Sequence, residues 1–226
     1  MRRTILWLVV AHLMIGSALA ATLTLTPGQD LNISNGFGEN SNWNSLQLLV
    51  NWGCGGQPGC ITPTTSQGLI QFDISGIPVG ATINSATLRL FHSFNNGLGD
   101  SFELYRNTSS WDETTTTYNT RPGADATAVG SLLISDTNNF QYREMDVTGV
   151  VQDWYDLVFP NYGLTLRQIN EVAEQFIYFE SKDHGQPNQI PELVVEYTVN
   201  AVPEPGTFTL LACGACALLL RRRYQN

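Results

Sequence analysis

The amino-acid sequence predicts an all-β domain, a jelly-roll β-sandwich of two antiparallel sheets with one short helix. Short segments of residues 21–200 alternate between apolar and polar side chains, and turns rich in Gly, Asn, Pro and Asp separate them. Alternation with a period of two indicates strands that pack one face and leave the other in water. So many short strands in one domain favour two packed antiparallel sheets.

The strand pattern is clearest in two segments. Ala86, Leu88 and Leu90 share one face of the first, and Leu193 and Val195 share one face of the second. The predicted strands are residues 22–26, 68–74, 86–92, 101–106, 128–134, 140–147, 163–167, 175–179 and 191–197.

One helix is predicted after residue 147. Asp146 or Thr148 is expected to act as its N-cap, because short polar side chains can accept the first free N–H groups. Its apolar stripe, which we expect to cap one end of the sandwich, comprises Val150, Val151, Trp154 and Tyr155.

Residues 1–20 have the pattern of a secretory signal peptide. A basic start is followed by an apolar run over residues 5–15 and a small-x-small site that ends at Ala20. Cleavage is therefore expected between Ala20 and Ala21. The alternative is an N-terminal anchor that is kept in the mature protein.

Residues 201–226 form a second distinct end. Pro203, Glu204 and Pro205 precede an apolar stretch at about 206–220, and three arginines follow it. This stretch is shorter than the ~20 residues that a spanning helix needs. Long arginine side chains can extend to the membrane surface, which reduces this shortfall in length. The positive charge of the three arginines favours the cytoplasmic side for this end. The sequence thus predicts a marginal transmembrane helix with the domain outside.

The charge of residues 21–201 limits the ligands. Once both ends are removed, six basic and nineteen acidic side chains remain, a net charge of −13. Such a field repels phosphate backbones, so no nucleic-acid partner is expected. Anionic polysaccharide is disfavoured unless a cation bridges it. The acidic charge suggests structural calcium, because hard cations take oxygen ligands. The loop carboxylates that could contribute are Asp30, Glu39, Asp100 and Asp183.

The cysteines outside the tail suggest an oxidised loop. Cys54 and Cys60 flank a Gly- and Pro-containing turn that can bring their sulfurs together. A disulfide in an oxidising compartment is favoured over a metal site. The metal alternative would need further ligands, and the mature chain offers only His92 and His184 as histidines.

The C-terminal end resembles the PEP-CTERM sorting signal. The resemblance rests on Pro203, Glu204 and Pro205, the short apolar helix and the terminal basic cluster, in that order. It implies an exosortase, a membrane cysteine transpeptidase, as a partner that recognises and cleaves the tail. It also implies a Gram-negative host that makes extracellular polysaccharide, with transient anchoring in the inner membrane.

Residues 30–198 resemble the DNRLRE family, which overlaps with a class of carbohydrate-binding modules. The resemblance implies a jelly-roll domain on surface proteins, some of which bind acidic polysaccharide such as alginate. The motifs that carry it are Ile70–Ile74, Ala81–Leu90, Ser110–Glu113, Tyr118–Pro122, Asp146–Thr148 with Val151 and Trp154, Asn161–Leu164 and Pro191–Val195.

Several side chains invite specific expectations. Trp111 and Trp154 are expected to pack in the core, and Arg121 to pair with Asp112 or Glu113. The candidates for stacking on a sugar are Trp43 and Trp52, which lie in a Gly/Asn-rich stretch.

No catalytic motif stands out: the sequence contains no Gly-x-Ser-x-Gly elbow, His-Glu-x-x-His or Walker loop. We therefore expect a non-catalytic, exported surface or extracellular-matrix protein with a carbohydrate-binding-like domain over residues 21–200. The alternatives are a purely structural or adhesive matrix protein without a sugar ligand and, less favoured, a polysaccharide-degrading enzyme.

Overall fold

The computed structural model describes residues 18–36, 42, 47–53, 64–95, 100–134, 138–168 and 175–200. Within them the chain forms antiparallel strands and one short helix, as predicted. The strands are β1 (Ala18–Leu25), β2 (Pro27–Ser34), β3 (Gln47–Gly53), β4 (Thr64–Phe72), β5 (Thr82–Asn95), β6 (Asp100–Arg106), β7 (Gly130–Ile134), β8 (Gln141–Asp146), β9 (Leu164–Gln168), β10 (Gln175–Glu180) and β11 (Glu192–Asn200), with helix α1 (Thr148–Tyr155) between β8 and β9.

Two strands organise the sheet. β5, 14 residues long, pairs with β11, β8 and β10 along successive parts of its length. β4 likewise pairs with β2, β3 and β9. The pairing order is β1-β11-β5-β10-β3-β4-β9-β6-β7, with β2 added to β4 and β8 added to β5.

The strands around β5 and the strands around β4 belong to one sheet, whereas the sequence predicts two separate sheets. β3 and β10 pair over six residues, and this ladder links the strands around β5 to those around β4. The described strands therefore form one hydrogen-bonded sheet that curls around its core. Two strands, β2 and β3, were not among the predicted ones, and the jelly-roll topology itself stays a prediction.

A single large core fills the curl. Leu88 and Leu90 of β5 and Val195 of β11 are buried, which confirms the faces predicted from alternation. From the other half, Phe72 of β4 and Phe102 of β6 point into the same core. Apolar burial on this scale is the main stabilising contribution to such a fold.

A second, smaller cluster lies on the outer side of β2 and β4. Leu31, Ile33 and Leu69 are fully buried there, and Trp111 covers them. Trp111 belongs to the connection between β6 and β7, which lies across this face of the sheet. The expectation that Trp111 packs in the interior is confirmed, as it is for Trp154, which is 3% exposed.

The N-cap prediction for α1 is wrong. Val147 occupies the N-cap position, and it makes no side-chain capping bond. Asp146 instead accepts the backbone N–H of Thr148 at 2.8 Å, and the Thr148 hydroxyl accepts the N–H of Ala86 at 2.8 Å. Thr148 therefore ties the helix start to β5, while Asp146 binds the N–H of Thr148 from the end of β8.

The predicted ends lie largely outside the described residues. Ala20 and Ala21 fall within β1, opposite Thr198 and Tyr197, and residues 18–20 are exposed. Cleavage between the two alanines would shorten β1 by its exposed end. In the part of the chain that the structure describes, no helix is long and apolar enough to cross a membrane. The predicted segment at 206–220 is not in that part.

Candidate functional site

A turn after α1 is fixed tightly to the sheet. Asn161 donates through Nδ2 to the carbonyl of Phe72 at 2.8 Å, and its own carbonyl accepts from Gln71 Nε2 at 2.8 Å. Asn161 Oδ1 also accepts the N–H of Gly163 at 3.1 Å. These bonds hold the segment 156–163 against the end of β4.

This segment and the sheet enclose a cleft of ≈ 780 Å³, which we call the amide cleft. One wall carries the amide side chains of Gln29, Gln71 and Asn161. The lining also includes apolar side chains, and of these Val79 is fully exposed and Leu157 is 87% exposed. The remaining lining residues are Gly28, Phe72, Asp73, Ile74, Ser75, Ile77, Trp154, Tyr155, Phe159 and Pro160.

The amides in this wall form a chain of hydrogen bonds. Gln29 Nε2 donates to Gln71 Oε1 at 3.2 Å, and Gln71 donates onward to Asn161. Gln29 Oε1 accepts the backbone N–H of Glu113 at 3.0 Å. Each side-chain amide carries two N–H donors, and these bonds use one of each pair. One donor on each amide therefore has no partner among the described residues.

Phe159 separates the amide cleft from a smaller one. The second cleft, of ≈ 420 Å³, is lined by Arg106, Asp125 and Asp153, and Phe159 lines both clefts. The Arg106 guanidinium carbon lies 3.3 Å from the centre of the phenyl ring, and Phe159 is 40% exposed. One face of the ring is therefore covered by a cation–π contact.

The amide cleft has no cationic side chain in its lining. Its charged group is Asp73, whose pKa is lowered by hydrogen bonds from Ser75. All six basic residues of 21–201 have partners elsewhere. Arg89 pairs with Glu144 and Glu192, Arg106 with Asp125 at 2.5 Å, Lys182 with Glu113, Arg143 bonds the carbonyl of Asn138, Arg167 lies over Tyr105, and Arg121 lies over Tyr118.

The expected Arg121 ion pair is absent among these contacts. Arg121 stacks 3.9 Å from the centre of the Tyr118 ring and donates to the carbonyl of that residue. Asp112 instead accepts hydrogen bonds from Thr114 and Thr115, and Glu113 binds Lys182 at 2.7 Å. The two neighbouring carboxylates therefore have different surroundings.

Three carboxylates meet beside β2, although they are far apart in the chain. One oxygen from each of Asp30, Glu113 and Asp183 lies within 4.8 Å of the other two. Lys182 Nζ is 2.7 Å from Glu113 and 3.1 Å from Asp183, and its backbone N–H donates to Asp30 Oδ2 at 2.6 Å. We call Asp30, Glu113 and Asp183 the carboxylate cluster.

Burial dominates the electrostatics of this cluster. Asp30 is 1% exposed, and desolvation raises its pKa to about 7, although the N–H and the charge of Lys182 oppose the shift. Desolvation also acts to lower the pKa of Lys182. Hydrogen bonds and charge from Glu113 and Asp183 outweigh it and raise that pKa.

Several residues singled out in the sequence lie outside the described part of the chain. This holds for Trp43, Glu39, the Cys54–Cys60 pair and the Pro203–Pro205 motif. Trp52 is in β3 opposite Thr65 and Gln175, and Asp100 begins β6, but the side chains of both lie outside the description. Sequence reasoning did name Asp30 and Asp183 but missed Glu113 as their companion.

Comparison with known families assigns the domain. Residues 21–197 match the family model of carbohydrate-binding module family 96. The chain belongs to this family. The match confirms the expected carbohydrate-binding-module-like domain. The comparison with curated proteins gave no match.

Membership of family 96 points to sugar binding, and such modules are typically non-catalytic. The amide cleft has the features that suit this task. It is concave, partly apolar, and has a few amides held in fixed positions. The three amides and Phe159 were not recognised in the sequence, because only the register of β2 with β4 and the turn at 161–163 bring them together.

Proposed function

We propose that this protein is a non-catalytic carbohydrate-binding protein whose amide cleft binds a neutral glycan. The observation that carries the proposal is the combination of hydrogen-bonding amides, an apolar side and no cation in one cleft of a family 96 domain. Hydroxyl groups of a sugar pair with amides, and its C–H faces pack on apolar and aromatic side chains.

Charge supports a neutral ligand. Residues 21–201 carry −13, and each of the six basic side chains is already engaged. Two like charges at 4 Å repel by about 4 kcal/mol at an effective dielectric near 20. A uronate in the amide cleft would meet Asp73 without a compensating cation. Alginate is therefore expected to bind poorly in the absence of divalent cations.

Phe159→Ala is expected to weaken glycan binding about tenfold, the equivalent of roughly 1.4 kcal/mol. Arg106 covers one face of the ring, so the sugar would stack on the other face from the amide cleft. Binding of neutral and uronate polysaccharides to the purified full chain would be measured by affinity electrophoresis and calorimetry. Phe140→Ala is the matched control, because Phe140 is 73% exposed but does not line the cleft.

Three results would contradict this assignment. Equal binding by wild type and Phe159→Ala would remove the cleft from consideration. Tight alginate binding in excess chelator at physiological salt would overturn the charge argument. Failure to bind any glycan, with or without calcium, would favour the alternative of a structural or adhesive matrix protein. The earlier candidates for stacking, Trp43 and Trp52, stay predictions that the same assay can test.

The cellular setting is also proposed from the sequence. Signal-peptide cleavage between Ala20 and Ala21, a Cys54–Cys60 disulfide and the PEP-CTERM-like tail support an exported protein of a Gram-negative cell surface or matrix. The tail at 206–220 would anchor it briefly in the inner membrane before an exosortase processes it.

Replacing Pro203, Glu204 and Pro205 with alanine is expected to leave export intact and to block processing of the tail. The apolar segment and the arginines stay in place, so membrane insertion is preserved while the recognised motif is lost. Mass spectrometry of the exported protein gives its C-terminus. An unchanged mature C-terminus in the variant would show that the motif is not what the sorting enzyme reads.

A further inference from the structure

We infer that the carboxylate cluster is a calcium site that ties three separate segments together. Asp30 lies on β2, Glu113 in the connection between β6 and β7, and Asp183 in the connection between β10 and β11. The ligand set is made only of carboxylate oxygens. This donor chemistry suits a hard cation and not zinc or copper, which take nitrogen and sulfur.

A second observation also points to a cation: one buried carboxylate oxygen of the cluster has no hydrogen-bond partner among the described residues. Asp30 is 1% exposed, and its Oδ1 atom has no hydrogen-bond partner among the described residues. A buried carboxylate oxygen without a partner is costly, and native proteins normally satisfy such atoms. Its other oxygen already accepts the Lys182 N–H at 2.6 Å. A cation bound by the cluster would satisfy the orphaned oxygen.

The spacing and charge of the cluster fit calcium. Ca–O distances of about 2.3–2.6 Å place oxygens on opposite sides of the ion about 5 Å apart. The three carboxylate oxygens lie within 4.8 Å of one another. Magnesium needs near-ideal octahedral geometry, which ligands from one strand and two irregular connections do not readily supply.

Lys182 is the internal competitor for the cation. Its ammonium lies 2.7 Å from Glu113 and 3.1 Å from Asp183 and provides one positive charge against three carboxylates. Calcium binding displaces this ammonium toward solvent, because both cannot share the same oxygens. The long lysine stem permits the movement without a change in the backbone, and the Lys182 N–H bond to Asp30 is kept.

The test uses the purified full chain after chelation and dialysis. Five millimolar calcium is expected to raise Tm by about 3–6 °C if the affinity is that of extracellular calcium modules. Asp30→Asn and Asp183→Asn should each lose the shift. Asp156→Asn should retain it, because this exposed carboxylate lies outside the cluster. If Asp30→Asn does not fold, Asp183→Asn and Lys182→Met carry the test.

Lys182→Met gives the sharpest readout. Removing the competing charge should tighten calcium binding about tenfold or more. Calorimetry measures this affinity, and so does the loss of Tb³⁺ luminescence as calcium displaces bound Tb³⁺. If the cluster serves only as an ion-pair partner of Lys182, Lys182→Met should instead be less stable and should gain no calcium affinity. No calcium response in the wild type, or an equal response to magnesium, would overturn the inference, as would a response kept in Asp183→Asn.

Discussion

Gly163→Ala is expected to destabilise the domain by about 3 kcal/mol or more. Gly163 has φ +77°, where an L side chain adds about 1–2 kcal/mol of strain. A Cβ there would also lie 2.2 Å from the carbonyl oxygen of Ile70 and 2.8 Å from Gln71 Cβ. The first of these neighbours is backbone of the central strand β4, so it cannot move aside cheaply.

The clash would open the turn that builds the amide cleft. The carbonyl of Gly163 accepts the N–H of Asn107 at 3.0 Å, and its own N–H reaches Asn161. Moving the turn outward breaks these bonds and separates Asn161 from Gln71. We therefore expect glycan binding to fall together with stability.

Urea and thermal unfolding of the full chain measure this effect, and a fall in Tm of roughly 6–12 °C is expected. Gly80→Ala is the matched control. Gly80 has a similar φ of +79°, but a Cβ there would meet nothing within 4 Å. Gly80→Ala should therefore lower the free energy of unfolding only by the conformational strain, about 1–2 kcal/mol. Equal losses in the two variants would show that the close approach to β4 is unimportant.

The alternation of apolar and polar residues was sufficient to predict a strand wherever that strand packs one face on the core. The alternation around Leu88 and around Val195 has this form, and both strands were predicted. It failed for β2, whose segment begins with Pro27 and Gly28 and is otherwise mostly polar. β2 is a strand because β4 pairs with it and because Trp111 covers Leu31 and Ile33, and both partners are distant in the chain.

The same limit applies to the sites. Composition predicted acidic oxygen ligands, and Asp30 and Asp183 were among the named candidates, but no spacing in the sequence joins them to Glu113. The amides of Gln29 and Gln71 face each other only through strand register. Arg121 was expected to form an ion pair, yet a neighbouring tyrosine ring and carbonyl satisfy it locally. Long-range geometry decided the two sites, and a local contact decided the case of Arg121.

Asp30 is expected to make the calcium-free domain less stable as the pH rises from about 4 to 7. Its pKa is about 7 in the folded state and near 3.8 when unfolded, so the folded state holds more protons in this window. Stability falls with pH wherever the folded state binds more protons. A shift of about three pH units corresponds to at most roughly 4 kcal/mol. The loss is complete, and the curve is level, about one pH unit above this pKa.

The surrounding charges do not reverse this trend. Lys182 stays protonated throughout the window, because its pKa is raised from 10.5, and Glu113 and Asp183 add negative charge that opposes ionisation of Asp30. The lowered pKa values of Asp73, Asp112 and Asp146 affect stability below about pH 4. A reference variant separates the contribution of Asp30 from the contributions of all other titrating groups.

Asp30→Asn supplies that reference, since its amide oxygen can still accept the Lys182 N–H. Urea unfolding in excess chelator between pH 4 and 8 measures the free energy of unfolding of both proteins. The value for the variant should rise relative to that of the wild type as the pH rises. Above pH 7 it should be the more stable protein, because it no longer buries a charge. Parallel pH profiles for the two proteins would mean that Asp30 titrates normally and that its burial carries no electrostatic penalty.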